Sequence, residues 1–126
     1  MENYVVNLDE VPVGRIPGRE IRDLVNGNNL KSQSISLRIT DILPHSITYP
    51  GHTHTKCEEI IFVLSGHGEI KIDEDIYPIQ PGDAVYLPQG VKHLIRNNGD
   101  ERMRLACSFN SADMSEDLRN EEGMDF

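Results

Sequence analysis

This sequence predicts an all-β chain, a sandwich or a barrel, on three observations. Apolar and polar residues alternate with a period of two, turn residues punctuate the chain every few residues, and no 3.6-residue apolar periodicity lasts three turns before residue 111. Tyr4–Leu8 and Ile21–Val25 read as short strands separated by Pro12, Gly14, Pro17 and Gly18, and Asn26–Asn29 reads as a turn. Ser34–Ile42 alternates cleanly, with Ile35, Leu37 and Ile39 on one face and Ser36, Arg38 and Thr40 on the other. Pro44 ends that strand, and a new element begins at Tyr49–Gly51. Glu59–Leu64 is apolar on both faces, as expected of a strand held between two layers. Glu69–Ile72 and Ile76–Ile79 form a hairpin around Asp73–Asp75, Ala84–Leu87 follows the Pro81–Asp83 turn, and His93–Asn97 and Arg102–Phe109 close the series.

The chain has 126 residues, which fits one domain. Only 37% of it is hydrophobic and it contains no Trp, so the core must be economical or completed by a partner subunit. Twelve Lys and Arg face 21 Asp and Glu, a formal charge of −9 that repels phosphate backbones and anionic lipid. Neither nucleic acid nor a membrane surface is therefore an expected partner. Residues 111–126 hold six acids against Arg119 alone and account for −5 of the total. We expect residues 1–110 to form the barrel domain with N-terminal strands, and 111–126 to be an acidic C-terminal tail, solvated or a frayed last helix. Two cysteines, Cys57 and Cys107, make no disulfide framework. No secretory signal or 18-residue apolar run is visible, so the expected location is cytoplasmic.

Three of the five histidines sit where chemistry could use them. His52 and His54 lie two apart, which on an extended strand turns both imidazoles to one side and lets them converge on a metal ion. A chance surface pair has the same pattern. The carboxylate that would complete such a site is Glu58 or Glu59. An unbroken strand from His52 would select Glu58, but Thr55–Cys57 looks like a turn that resets the parity. His93 opens the strand after a tight turn at Pro88 and Gly90, and Asn97 shares its face.

These residues resemble the two motifs of the cupin superfamily. In the first, His-x-His is followed after three or four residues by Glu and after six more by Gly. His52, His54, Glu59 and Gly66 fit, and the count to Gly66 favours Glu59. The family's leading glycine would fall at Ser46, where this chain departs from the pattern. The second motif is matched at every position by Gly82, Pro88, Gly90, His93 and Asn97. The resemblance implies a double-stranded β-helix, a jelly-roll β-barrel. It also implies one divalent transition metal ion (Fe, Mn, Ni, Co or Zn) held by His52, His54, Glu59 and His93 with positions left open. A small metal-dependent enzyme acting on a small polar molecule follows, a dioxygenase or a lyase, isomerase or cyclase using the ion as a Lewis acid. The alternative is a non-catalytic sugar- or carboxylate-binding or sensor protein.

Arg38, Cys57, Tyr86 and Asn97 are the candidate substrate-pocket residues. Arg38 could clamp a carboxylate and Tyr86 could offer its hydroxyl. Cys107 reads as core with Met103, Leu105 and Phe109. Arg15, Arg19 and Arg22 read as solvated surface, and His45 and His67 as loop residues. Homodimerisation through sheet-to-sheet pairing is expected from the small apolar fraction and the strand that is apolar on both faces.

Overall fold

A computed structural model describes residues 4–126, Asp117 by its backbone alone. Twelve strands are present and no α-helix occurs among the described residues. They are β1 (Gly14–Ile16), β2 (Arg19–Val25), β3 (Ser36–Ile42), β4 (Ser46–Ile47), β5 (Gly51–His54) and β6 (Glu59–Ser65), then β7 (Gly68–Ile72), β8 (Asp75–Ile79), β9 (Ala84–Leu87), β10 (His93–Asn97), β11 (Met103–Phe109) and β12 (Leu118–Glu121). One antiparallel sheet runs β1-β2-β3-β11-β6-β9. The other runs β12-β5-β10-β7-β8, with β4 also pairing β10. Consecutive strands repeatedly switch sheets, which is the jelly-roll way of closing two layers over one core.

The inner faces meet in a core of Ile42, Ile61, Val63, Ile70, Ile79, Leu87, Met103 and Leu105. Alternation places them: β6 buries Glu59, Ile61 and Val63 and exposes Ile60, Phe62 and Leu64, and β11 buries Met103, Leu105, Cys107 and Phe109. The core fills the end of the sandwich where Met103 pairs with Ile42. Toward the other end of β11, where Phe109 pairs with Glu59, the layers part around a cavity.

On the outer face Asp41 is buried under guanidinium groups. Arg104 donates to it twice, at 2.7 and 2.9 Å, and Arg22 once at 3.0 Å, tying β2, β3 and β11 together. Burial alone would raise its pKa, but the Arg104, Arg22 and Arg102 charges prevail and lower it.

Several expectations are corrected here. Residues 4–8 form no strand; Leu8–Glu10 is a 3-10 turn capped by Asn7, and Tyr4 and Val5 stand exposed. The Pro- and Gly-rich stretch before Ile21 instead contributes β1, joined to β2 by the two-residue Pro17–Gly18 loop. The outer side of β6 has no second layer among the described residues, and Ile60, Phe62 and Leu64 remain 42–53% exposed. The acidic segment 111–126 is neither a loose tail nor a helix. It makes a 3-10 turn over Met114–Asp117, buries Met114, and adds β12 antiparallel to β5. Its charged residues alternate with apolar anchors and its backbone satisfies the β5 edge, which a count of acids does not register. Beyond β12 the backbone carbonyl of Asp125 accepts from Lys71, and the Phe126 ring lies 4.3 Å under the Arg96 guanidinium.

Candidate functional site

Three imidazoles come from one sheet and one carboxyl from the other. His52 and His54 share a face of β5 by the i, i+2 rule, and His93 on β10 is the direct cross-strand partner of His52. The three rings offer nitrogens that all lie within 4.8 Å of one another. β5 ends at His54, and the chain crosses at residues 55–58 to the other sheet before β6 begins at Glu59. That crossing settles the parity question. Glu59 points inward, its Oε1 3.5 Å from His93 Nε2 and 3.7 Å from His54 Nε2. Glu58 points outward and accepts a hydrogen bond from the Tyr86 hydroxyl.

The electrostatics of this cluster are those of groups withdrawn from water. Glu59 is 5% exposed and its Oε1 has no hydrogen-bond partner, so burial pushes the carboxyl up to about 8. His52 is pushed down to about 4, by burial first and then by the charges of His54 and Arg19. His93 falls well below its ordinary value, again chiefly by burial. Neutral imidazoles are the protonation state that ligates metals. Donors around an ion with bonds of about 2.1 Å sit about 3.0–4.2 Å apart. The observed spacings approach that range, so the residues fit a divalent cation.

The cluster opens on a cavity of about 150 Å³. A void of that size in another protein takes a benzene ring, so this one suits a small molecule. Its walls include Thr40, Thr48, Leu105, Cys107 and Phe109 from the barrel. Ile16, Arg19 and Ile21 join from the N-terminal hairpin, and Met114, Ser115, Leu118 and Asn120 from the C-terminal segment. Phe109 packs its ring edge-on against His54, with centroids 5.1 Å apart. Cys107 faces Glu59, and burial followed by the Glu59 charge holds its thiol neutral far above the usual range. Thr40 Oγ1 lies 3.7 Å from the Cys107 sulfur.

Of the four candidate pocket residues the structure brings only Arg38 to the cavity, forked onto Asp23 at 2.7 and 3.2 Å. Cys57 is 1% exposed and packs in the core cluster, in the crossing that precedes β6. Tyr86 lies on the outer face of β9, opposite Ile60. Asn97 is buried but structural. Its amide donates to the carbonyls of Ile42 and Glu101, and its carbonyl accepts from Gly99 N, pinning the turn after β10. His45 pairs with Asp100 at 2.7 Å on the surface.

Sequence reasoning missed Cys107, Arg19 and the C-terminal lining. Cys107 was legible only as apolar, and Arg19 only once β2 is known to start there, which puts it in phase with Ile21. Arg22 faces the other way, onto Asp41, and Arg15 bonds Glu20 in solvent.

Solved structures share this architecture. A Streptomyces protein, Pac13, described as a nucleoside dehydratase and solved with uridine, superposes with a TM-score of 0.82 at 12% identity, covering 98% of this chain and 94% of that one. An oxalate decarboxylase from Lactobacillus farciminis superposes at 0.78 with 20% identity, over 89% of this chain but 34% of the larger protein. By sequence the chain is 29% identical to Protein SchB of Streptomyces halstedii over 80% of its length and 72% of the relative's. It is 32% identical to an L-ectoine synthase of Aliivibrio fischeri over 82% of its length and 78% of the relative's. The Cupin domain model matches residues 38–109, the span that carries His52, His54, Glu59 and His93, and the chain belongs to the cupin family.

Proposed function

We propose that this chain is a metal-dependent enzyme that transforms a small polar molecule inside the barrel. The observation that carries the reading is the convergence of His52, His54 and His93, with Glu59 beside His54 and His93, on the wall of one cavity. A bound ion would supply Lewis-acid polarisation of a ligand oxygen or, if redox-active, dioxygen chemistry. The chain's own residues do the rest. Glu59 holds a proton at its carboxyl when no cation is present and yields it when one binds. Cys107 keeps its proton on sulfur beside Glu59. Thr40 offers a hydroxyl from the wall, Thr48 bonds its own to the Ile95 backbone, and Met114 and Leu118 add apolar lining. The family resemblance to a named synthase supports an enzyme over a sensor. No helix of the described residues is long and apolar enough to cross a membrane.

The test is elemental analysis of untagged protein beside His52→Ala and His93→Ala. About one equivalent of a transition metal, lost in both variants while the fold persists, is the expected result. Iron would direct assays to oxygen consumption and zinc to elimination or cyclisation. Protein that carries no metal and takes none up on reconstitution would leave a binding module instead.

We also propose that the working form is a homodimer joined through the outer face of the β6 sheet. Ile60, Phe62, Leu64 and Tyr86 stand exposed there side by side.

A further inference from the structure

We infer that the molecule bound in the cavity is a small carboxylate and that Arg19 is the residue that holds it. The inference rests on the cavity being the working site. Two guanidinium groups line the same wall, Arg19 from β2 and Arg38 from β3. Arg38 is already neutralised by the forked contact with Asp23. Arg19 is not: its described hydrogen bond is a 3.3 Å contact from Nη1 to the Pro17 carbonyl, and it has no carboxylate partner among the described residues. It is nonetheless largely withdrawn from water, enough that burial and then the Arg38 charge lower its pKa.

A half-buried cation with no counter-charge costs free energy unless something negative arrives. No acid among the described residues does so, although the chain carries −9 overall. The group that would satisfy Arg19 must come from the ligand. A single free guanidinium presents two parallel N–H donors, the match for the planar edge of a carboxylate. A phosphate would require further donors, and Arg38 is committed elsewhere. The cavity of about 150 Å³ limits the partner to a compact molecule. Arg19, His52, His54 and His93 line the same cavity, so a carboxylate held at Arg19 places the rest of a short ligand toward the histidine cluster.

The probes are acetate, malonate and succinate, each titrated by calorimetry against its uncharged amide, with inorganic phosphate alongside. Titrations use chelator-treated protein, so that no ion contributes to binding, and are repeated on metal-loaded protein. At least one carboxylate should bind saturably and at least about tenfold tighter than its amide, the worth of one charge-assisted contact. Arg19→Gln should erase that preference with circular dichroism and metal content unchanged, and Arg19→Lys should restore part of it. The double variant Asp23→Asn/Arg38→Gln, which removes a neutral pair, should keep it. Equal affinity for acid and amide, no saturable carboxylate binding, tighter binding of phosphate, or a preference that survives Arg19→Gln would each overturn the inference. Failure of the metal reading is separate: elemental analysis would find no ion while the carboxylate preference remained.

Discussion

Glu59, His52 and His93 are each held away from their solution protonation, and the three together set how the metal-free chain should respond to pH. The two histidines bind fewer protons folded than unfolded. Their contribution is full above 6.5 and fades as pH falls through that value toward about 4 for His52. Glu59 does the reverse: it binds more protons folded, so its contribution is full below 4.5 and is lost as pH rises to about 8. Between 4.5 and 6.5 two imidazoles outweigh one carboxyl and stability rises with pH; from 6.5 to 8 only Glu59 acts and stability falls. Chemical denaturation of chelator-treated protein should therefore show a maximum near pH 6.5, with limbs no steeper than about 1.4 kcal/mol per pH unit. A saturating divalent ion takes the place of the Glu59 proton, so the alkaline limb should flatten. A metal-free profile that climbs steadily to pH 8 would contradict this account of Glu59.

At the level of elements, two motif glycines test how the turns hold the strands. Gly66 has φ +81°, and a Cβ there would lie 2.5 Å from the Arg102 carbonyl oxygen and 2.6 Å from Met103 Cα. Gly82 has φ +93° but faces open space. Gly82→Ala should cost about 1–2 kcal/mol of unfolding free energy, from the backbone alone. Gly66→Ala should cost clearly more, because β6 and β11 must also move apart. Comparable losses in urea melts would mean that the close approach at Gly66 is softer than it looks. The strands of β3 and β6 through β11 were legible because alternation and turn chemistry are local properties. The grouping of His52, His54, Glu59 and His93 was legible because fixed spacing across a strand, a crossing and a turn leaves few alternatives. Tyr86 and Cys57 were not, since which face of β9 or of residues 55–58 turns inward depends on the sheet each joins. Residues 111–126 were misread for a related reason: pairing with β5 is non-local, and only Met114 and Leu118 hint at it in the sequence.

For the whole molecule, the outer face of the β6 sheet carries the dimer prediction. Phe62→Glu places a charge in the middle of Ile60, Leu64, Ala106 and Ala84, all on that face. Sedimentation at micromolar concentration should give a species near twice 14.2 kDa for the wild type and a monomer for the variant. Wild-type protein that sediments as a monomer would rule out the interface. The inner architecture divides differently. The residues that would hold the ion lie within positions 38–109, the span shared with the family, whereas Arg19, Ile21, Met114, Leu118 and Asn120 come from outside it. On the proposed reading, the residues for the ion thus come from one stretch of chain and part of the cavity wall from two others. Exchanging the N-terminal hairpin and the Met114–Glu121 segment between relatives offers a way to reshape such a cavity while keeping His52, His54, Glu59 and His93 in the chain.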